Sequence, residues 1–407
     1  MKSRIAIFTS ARSDFGPLRP LMEIASQRFQ VTILIGGAHF LASRGNTSQE
    51  VYADAARWGT NVVPVEFMLE GASPANQVRS IAVGQIAISQ WLAGNACNAM
   101  VILGDRWELF AASLPAFLYG IPLIHISGGE VTEGVIDDCV RHAHSKLSHL
   151  HFVANDFYAD NLSRMGEEDW RITLAGECGI DSIHHQDLAT VEEVKAQFGI
   201  DLSAKPILVT FHPSTLDSVG HPIEQFEQLL TALDRIPSVP VVLTAPGVEL
   251  GAAALLERLI NFVKHRNGAH FIPHLGSRAY LTVLKNASLV LGNSSSGLVE
   301  AASFGVPAVN VGDRQKNRLA AESVLHVPAE AQAISDAMTK ALDPIFQTFS
   351  RTCANPYDPY RDGRNSERIA HVIDRALLSV SHDRILLKRF DPVLRPEKRN
   401  AFLKDFQ

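Results

Sequence analysis

The sequence predicts an α/β protein made of two Rossmann-like domains with a central cleft. Its 407 residues exceed the size at which one hydrophobic core usually keeps growing, which implies two domains of ~150 to 200 residues. Short runs rich in Ile and Val alternate with longer stretches whose apolar residues recur every three or four positions, as expected of parallel strands joined by crossover helices. That rhythm breaks at the acidic, polar stretch GIDSIHHQDLATVEEVKAQFGIDLSAK and then restarts.

In the first domain, residues 1–180, strands are expected at RIAIFTS, QVTILIGG, AMVILGD, IPLIHIS and HLHFVAN. Helices are expected at ANQVRSIAVGQIAISQWLAG and WELFAASLPAFLYG. In the second, residues 181–364, strands are expected at PILVTFHPS, VPVVLTAP, AHFIPHLG, ASLVLGNSSSG and VPAVNVG. No period of 20 to 50 residues repeats, so these are two similar architectures rather than an array. The tail from LLKRFDPVLRPEKRN onward is basic and proline-interrupted, and reads as an arm for a partner or a frayed end. Open parallel sheets take ligands outside the carboxyl ends of their strands, here in the crevice between the domains.

Composition narrows the function. A net charge of −6 without long runs of one sign gives no footprint for nucleic acid or an anionic membrane. The cysteines, Cys97, Cys139, Cys178 and Cys353, follow no zinc or redox spacing, and the first residues run into a strand without a signal peptide. No apolar stretch approaches the ~20 residues of a membrane-spanning helix. A soluble protein of a reducing cytoplasm is expected.

Four groups of residues sit where ligands should be. After the first strand, Ser10, Arg12, Ser13, Asp14 and Gly16 form the turn into a helix, which suits a phosphate or sugar hydroxyl; alternatively Ser13 or Asp14 simply caps the helix. There is no GxGxxG dinucleotide fingerprint. After strand LVL come Gly292, Asn293, Ser294, Ser295, Ser296 and Gly297, then a helix carrying Glu300. Several hydroxyl and amide donors suit a diphosphate, and a glutamate one turn in can accept from ribose; a cap alone needs only one serine. His212 lies at the carboxyl end of strand ILV, where it can donate to a pyrophosphate or act as an acid, or be structural.

The fourth group is acidic. Asp105 follows strand MVILG, Glu130 follows IPLIHIS through a Gly-Gly turn, and Asp137 with Asp138 opens helix DDCVRHAHSKL. Capping accounts for one of the last two but not for acids converging at strand ends. Gathered carboxylates can have their pKa values pushed apart, which equips a site for proton transfer at a reluctant carbon. The neighbouring His142, His144, His149 and His151 lack a chelating spacing such as HExxH, so packing and hydrogen bonding, not a metal, are expected of them.

Together, TSARSDFGPLRPLM, GDRWELFAA, HISGGEVTEGVIDDCVRHAHSKLSHLHFVAN, LVTFHPST and NSSSGLVEAASFGVPAVNVGDRQKNR resemble the hydrolysing UDP-N-acetylglucosamine 2-epimerases of sialic acid biosynthesis, in matching order from about residue 1 to residue 380. The resemblance implies a glycosyltransferase B type fold, in which a last helix, residues 365–380, crosses back to the first domain and precedes an extension, residues 381–407. It implies loss of UDP with removal of the carbon 2 proton to give a glycal, then addition of water to release N-acetylmannosamine. Neither step needs a metal or redox cofactor, so none is expected. By motif, Asp105, Glu130 and Asp138 match the catalytic acids, with Asp137 able to stand in for the last. His212 matches the histidine near the phosphates, and Arg12, Ser294, Ser295, Ser296 and Glu300 match positions around the nucleotide.

Non-hydrolysing relatives carry HVEAGLR where this chain has HISGGEVTEG, which favours the hydrolysing branch. Similar hydrolysing enzymes act on 2,4-diacetamido-2,4,6-trideoxyglucose linked to UDP or GDP, in the routes to legionaminic acid; both sugars and both nucleotides stay open. No kinase module follows, and a bacterial source is expected. A glycosyltransferase of the same fold is one rival. A non-catalytic nucleotide-sugar-binding module is another, although a pure binder gains nothing from negative charge around a diphosphate. With acids in the first domain and the phosphate loop in the second, the cleft is expected to close on ligand. A homo-oligomer is expected from the resemblance and from the apolar first-domain helices, whose faces can equally be buried within the chain.

Overall fold

The computed structural model describes all residues except 1, 42–45, 70–72, 134, 186–187, 214–221, 247–251, 392, 404–405 and 407. The chain divides into two compact units. Unit 1 comprises Met1–Glu130, Asp137–Asp181 and Pro359–Gln407; unit 2 comprises Val131–Ile136 and Ser182–Asp358.

Unit 1 holds strands β1 (Arg4–Thr9), β2 (Gln30–Gly36), β3 (Asn61–Val65), β4 (Ala99–Leu103), β5 (Leu123–Ile126), β6 (Leu150–Val153) and β7 (Ile172–Leu174). They form one parallel sheet in the order β3-β2-β1-β4-β5-β6-β7. Unit 2 holds β8 (Ile207–Thr210), β9 (Val241–Thr244), β10 (Ala269–Ile272), β11 (Leu289–Gly292), β12 (Ala308–Val311) and β13 (Val324–Val327). Their order is β10-β9-β8-β11-β12-β13, again all parallel. Both are Rossmann-like, and in each the strand order reverses beside the first strand: between β1 and β4, and between β8 and β11.

Apolar side chains fill both faces of each sheet. In unit 1, Ile5, Ile7, Ile33 and Val101 pack on one face with helix Arg12–Arg28 and Phe8, Leu34, Met100 and Ile102 on the other. In unit 2, Val209, Leu243 and Leu291 face one way and Leu208, Val242 and Val290 the other. Burial on both sides explains the unbroken Val/Ile/Leu runs. The strands not anticipated above, β3, β7 and β13, all lie at sheet edges. Edge strands are short or polar and carry weak periodicity; β3 even holds Pro64, whose missing N–H only an edge tolerates well.

Helix Asn365–Ser379 returns the chain to unit 1, burying Ile369, Val372, Ile373 and Ala376 in the core beside Phe15 and Leu18 of helix Arg12–Arg28. The described residues of the tail beyond it pack on unit 1 rather than fray. Buried Arg171 donates to the carbonyls of Ile385 at 2.7 Å and Leu387 at 2.8 Å. Arg399 bonds Asp169 at 2.6 Å and Asp160 at 2.7 Å, and Asn400 pairs with Ile172 and Leu174 along the exposed edge of β7. Covering that edge removes a template for pairing with another chain. Among the described residues no helix is long and apolar enough to cross a membrane.

Candidate active site

In unit 1 the strand ends bring Asp105 and Glu130 to a shared cation. Arg141, almost fully buried on helix Asp137–Leu147, forms a salt bridge with Asp105 and lies 3.9 Å from the Glu130 carboxylate. Asp105 follows β4 and is partly exposed, whereas Glu130, beyond the turn after β5, is buried. The guanidinium offsets the repulsion that two neighbouring carboxylates would otherwise suffer, which lets both remain in one place. Asp137 and Asp138 occupy the first turn of the same helix, where its positive end favours them. Asp138 sits 3.5 Å from His142, whose pKa burial lowers against the pull of that carboxylate.

The segment after β1 is helix rather than turn from Arg12 onward, so Arg12, Ser13, Asp14 and Gly16 lie within helix Arg12–Arg28 and only Ser10 precedes it. Asp14 accepts from Ser10 N–H, Ser10 Oγ and Ala11 N–H, each at 2.9 Å, and from Thr9 Oγ1 at 2.8 Å. It thus satisfies the amides at the start of helix Arg12–Arg28. Ser13 is exposed and Arg12 partly so.

The histidines behind the acids are buried. His144 packs on Phe110 with ring centres 4.3 Å apart, and burial takes its pKa down to about 4. His149 accepts from Leu123 N–H at 3.0 Å and is lowered by burial to about 3. His151 lies 3.0 Å from Glu167. Burial would raise the Glu167 carboxyl, but His151, Lys388 and Lys146 hold it well below the usual carboxylate range.

Unit 2 offers donors instead. His212, partly exposed, follows β8, and Ser294, Ser295 and Ser296 follow β11, so they flank the point where the strand order reverses. A small crevice lies at these strand ends, lined by the apolar Val290, Leu291, Leu298, Ala308 and Val309 together with Thr210, Gly292, Ser294, Gly297 and Asn310. Gly292 has φ +135, and a Cβ there would overlap the Thr210 carbonyl, so glycine lets the two strand ends meet. Asn293, expected around the nucleotide, clamps those ends together. Its Oδ1 accepts from His212 N–H at 2.7 Å and its Nδ2 donates to His212 O at 2.8 Å. Ser296 Oγ lies 2.5 Å from the Tyr280 hydroxyl.

The expected helix after the serines is two short pieces, Ser296–Val299 and the 3-10 turn Ala301–Phe304, with Glu300 at their junction. The Glu300 Oε2 atom is buried without a hydrogen-bond partner among the described residues, and burial raises its pKa to about 7 against the pull of Arg318. Ser214 and Thr215 of TFHPST, and Gly134 before the acidic helix, lie outside the described residues.

Residues 22–374 match the family described as UDP-N-acetylglucosamine 2-epimerase. The chain belongs to this family. It is 31% identical over 392 residues to the UDP-N,N'-diacetylbacillosamine 2-epimerase (hydrolyzing) of Legionella pneumophila, covering 95% of this chain and 99% of that one. It is also 31% identical over 344 residues to a Neisseria meningitidis UDP-N-acetylglucosamine 2-epimerase, covering 83% and 87%. Among solved structures, the Neisseria meningitidis UDP-GlcNAc 2-epimerase bound to UDP-GlcNAc superposes with a TM-score of 0.75 at 18% identity, over 91% of this chain and 99% of that one. The S. aureus MnaA–UDP structure gives 0.75 at 17%, over 93% and 98%. These likenesses are of fold, and make this epimerase-family chain a glycosyltransferase B type protein.

Two features of the candidate site escaped the sequence reading. Arg141 stands three residues after Asp138 and four after Asp137, so helical spacing put it on their face. The Asn293 clamp left no local signal, because its partner lies 81 residues away.

Proposed function

We propose that the chain is a hydrolysing 2-epimerase that converts UDP-N-acetylglucosamine and water to N-acetylmannosamine and UDP, at the entry to sialic or related nonulosonic acid synthesis. The observation that carries this reading is the Asp105–Arg141–Glu130 constellation, with Asp138 one helical turn from the arginine, in a member of this family. The bond between anomeric carbon and diphosphate oxygen breaks, the diphosphate keeping the electron pair. A carboxylate takes the proton from carbon 2, and the carbon 1–carbon 2 double bond of a glycal forms. Water then adds its oxygen to carbon 1, and carbon 2 receives a proton on the opposite face.

No carbonyl acidifies that carbon 2 proton, so bond breaking at the anomeric carbon must run ahead and leave positive charge on the ring. The carboxylates of Asp105, Glu130 and Asp138, with Asp137 beside it, stabilise that charge and share the roles of base, acid and water activator. Serines 294, 295 and 296 and His212 serve the leaving diphosphate, Arg12 and Ser13 assist at the nucleotide, and Glu300 serves the ribose. A carboxyl with a pKa near 7 can both donate to and accept from a sugar hydroxyl.

A second sugar is favoured by one observation. The match to the Legionella diacetylbacillosamine enzyme spans 95% of the chain, against 83% for the Neisseria UDP-N-acetylglucosamine enzyme. The same reaction on UDP- or GDP-linked 2,4-diacetamido-2,4,6-trideoxyglucose, towards legionaminic acid, is therefore the alternative. Incubation with each nucleotide sugar in deuterium oxide decides. Free 2-epimer, nucleoside diphosphate and deuterium at carbon 2 are expected from one of them. Transfer with carbon 2 unexchanged would indicate a glycosyltransferase, and tight binding without product a binding module; either result overturns the proposal. The protein is further proposed to act in the cytoplasm as a homo-oligomer built on Val78, Ile86 and Leu118, exposed at 66%, 60% and 73%. A monomeric mass in light scattering would refute that assembly.

A further inference from the structure

The three elements that deliver the carboxylates meet at one buried imidazole. His125 stands on β5, the strand that leads to Glu130, and is fully buried. Its Nε2 lies 2.7 Å from the carbonyl oxygen of Gly104, the residue before Asp105. A carbonyl only accepts, so Nε2 carries the proton and Nδ1 is the acceptor. Nδ1 lies 3.1 Å from Ser145 Oγ, which therefore donates to it. Ser145 is on helix Asp137–Leu147, the helix that presents Asp137, Asp138 and Arg141. A Cβ added to Gly128, in the turn leading to Glu130, would lie 3.0 Å from both His125 Nδ1 and Ser145 Oγ, so that turn rests directly on the pair.

We propose that His125 and Ser145 are positioning residues for catalysis: their hydrogen bonds set the spacing of Asp105, Glu130 and the Asp138–Arg141 helix from beneath the site. The proposal rests on the 2-epimerase reading above. Burial holds His125 well below the usual histidine range against the pull of the Gly104 carbonyl, so the ring stays neutral and in one tautomer at physiological pH. A neutral ring with one donor and one acceptor ties β4 to the helix without adding charge among the carboxylates. Small misplacements are costly here, because shifts of about 1 Å far from the reacting atoms lower turnover about 100-fold.

The alternative is a buried polar pair that matters only to stability. The two are separated by measuring kcat and KM on whichever of the three nucleotide sugars the unsubstituted chain converts. Active molecules are counted by calorimetric titration with UDP. His125→Phe is expected to lower kcat about 100-fold per UDP-binding molecule, with KM and UDP affinity within about 2-fold. His125→Gln, which keeps an N–H near the Nε2 position, is expected to recover turnover to within about 10-fold of native. Ser145→Ala is expected to fall between these two. Native kcat per UDP-binding molecule in His125→Phe would overturn the proposal; if that variant does not fold, native kcat in Ser145→Ala overturns it. No turnover of any of the sugars by the unsubstituted chain would overturn the 2-epimerase reading itself, and this inference with it.

Discussion

Units 1 and 2 share a strand order around their first four strands, yet load the reversal point with opposite chemistry. Between β1 and β4, unit 1 presents Asp105, joined by Glu130 and braced by a buried arginine. Between β8 and β11, unit 2 presents serine hydroxyls and a histidine braced by the neutral Asn293 amide. One scaffold therefore carries carboxylates in one copy and neutral donors in the other, which the proposed function divides between acid–base work and anion binding, because chemistry resides in the loops after the strands and not in the sheet. The braces differ for a physical reason. Carboxylates crowded together need a cation, whereas neutral donors only need their backbone held still.

The sharpest test of this division is substitution within unit 1. Asp105→Asn and Glu130→Gln are expected to lower turnover by about 100-fold or more while UDP affinity stays within about 2-fold. Steady-state kinetics beside calorimetric UDP titration would show it, and a large loss of UDP binding would break the comparison. Arg141→Met should next cost about 3 kcal/mol of stability, since it strands carboxylates around a site that is itself almost fully buried. Urea unfolding of the variant measures that loss, and an unchanged midpoint would show that the arginine is not the brace.

The corresponding change in unit 2, Ser295→Ala with Ser296→Ala, should weaken UDP binding about 10-fold, because hydrogen bonds to a charged group are removed. Unchanged affinity in calorimetry would take the phosphate role away from that loop.

The smallest effects concern pH, and substitutions at His149 and Glu300 should respond with opposite sign. In unit 1, burial lowers His144 to about 4 and His149 to about 3. A histidine lowered in the folded state contributes stability that is present above its unfolded pKa near 6.5 and is lost as pH falls towards the folded value. His149→Asn keeps an acceptor for Leu123 N–H but cannot titrate, so its stability should fall less steeply than native between about pH 6 and 4. Glu300 in unit 2 is raised to about 7, so the stability of its protonated form is lost as pH rises through that value. Glu300→Gln should therefore gain in melting temperature relative to native at pH 8 and not at pH 5. A gain confined to acid pH would reverse the assignment.

Much of this was legible because the relevant signals are local. Strands buried on both faces read as Ile/Val runs, and helix DDCVRHAHSKL was marked by its acidic start. Strands β3, β7 and β13 were not legible, because β7 has only three residues and β3 and β13 are short and largely half-exposed, which leaves too little pattern to read. The tail read as an arm for a partner or a frayed end because its cations bind Glu168, Asp160 and Asp169, more than two hundred residues earlier.

By itself, then, the sequence determined the α/β class, the division into two parallel sheets and the residues gathered at the strand ends, since periodicity and turn chemistry act over a few residues at a time. Only the tertiary structure decided which groups face one another. It put Arg141 against Asp105, closed Asn293 on His212, seated the Gly104 carbonyl on His125 and folded the tail over β7. Each of those contacts joins residues from different elements, and only packing around a common core brings them within hydrogen-bonding range.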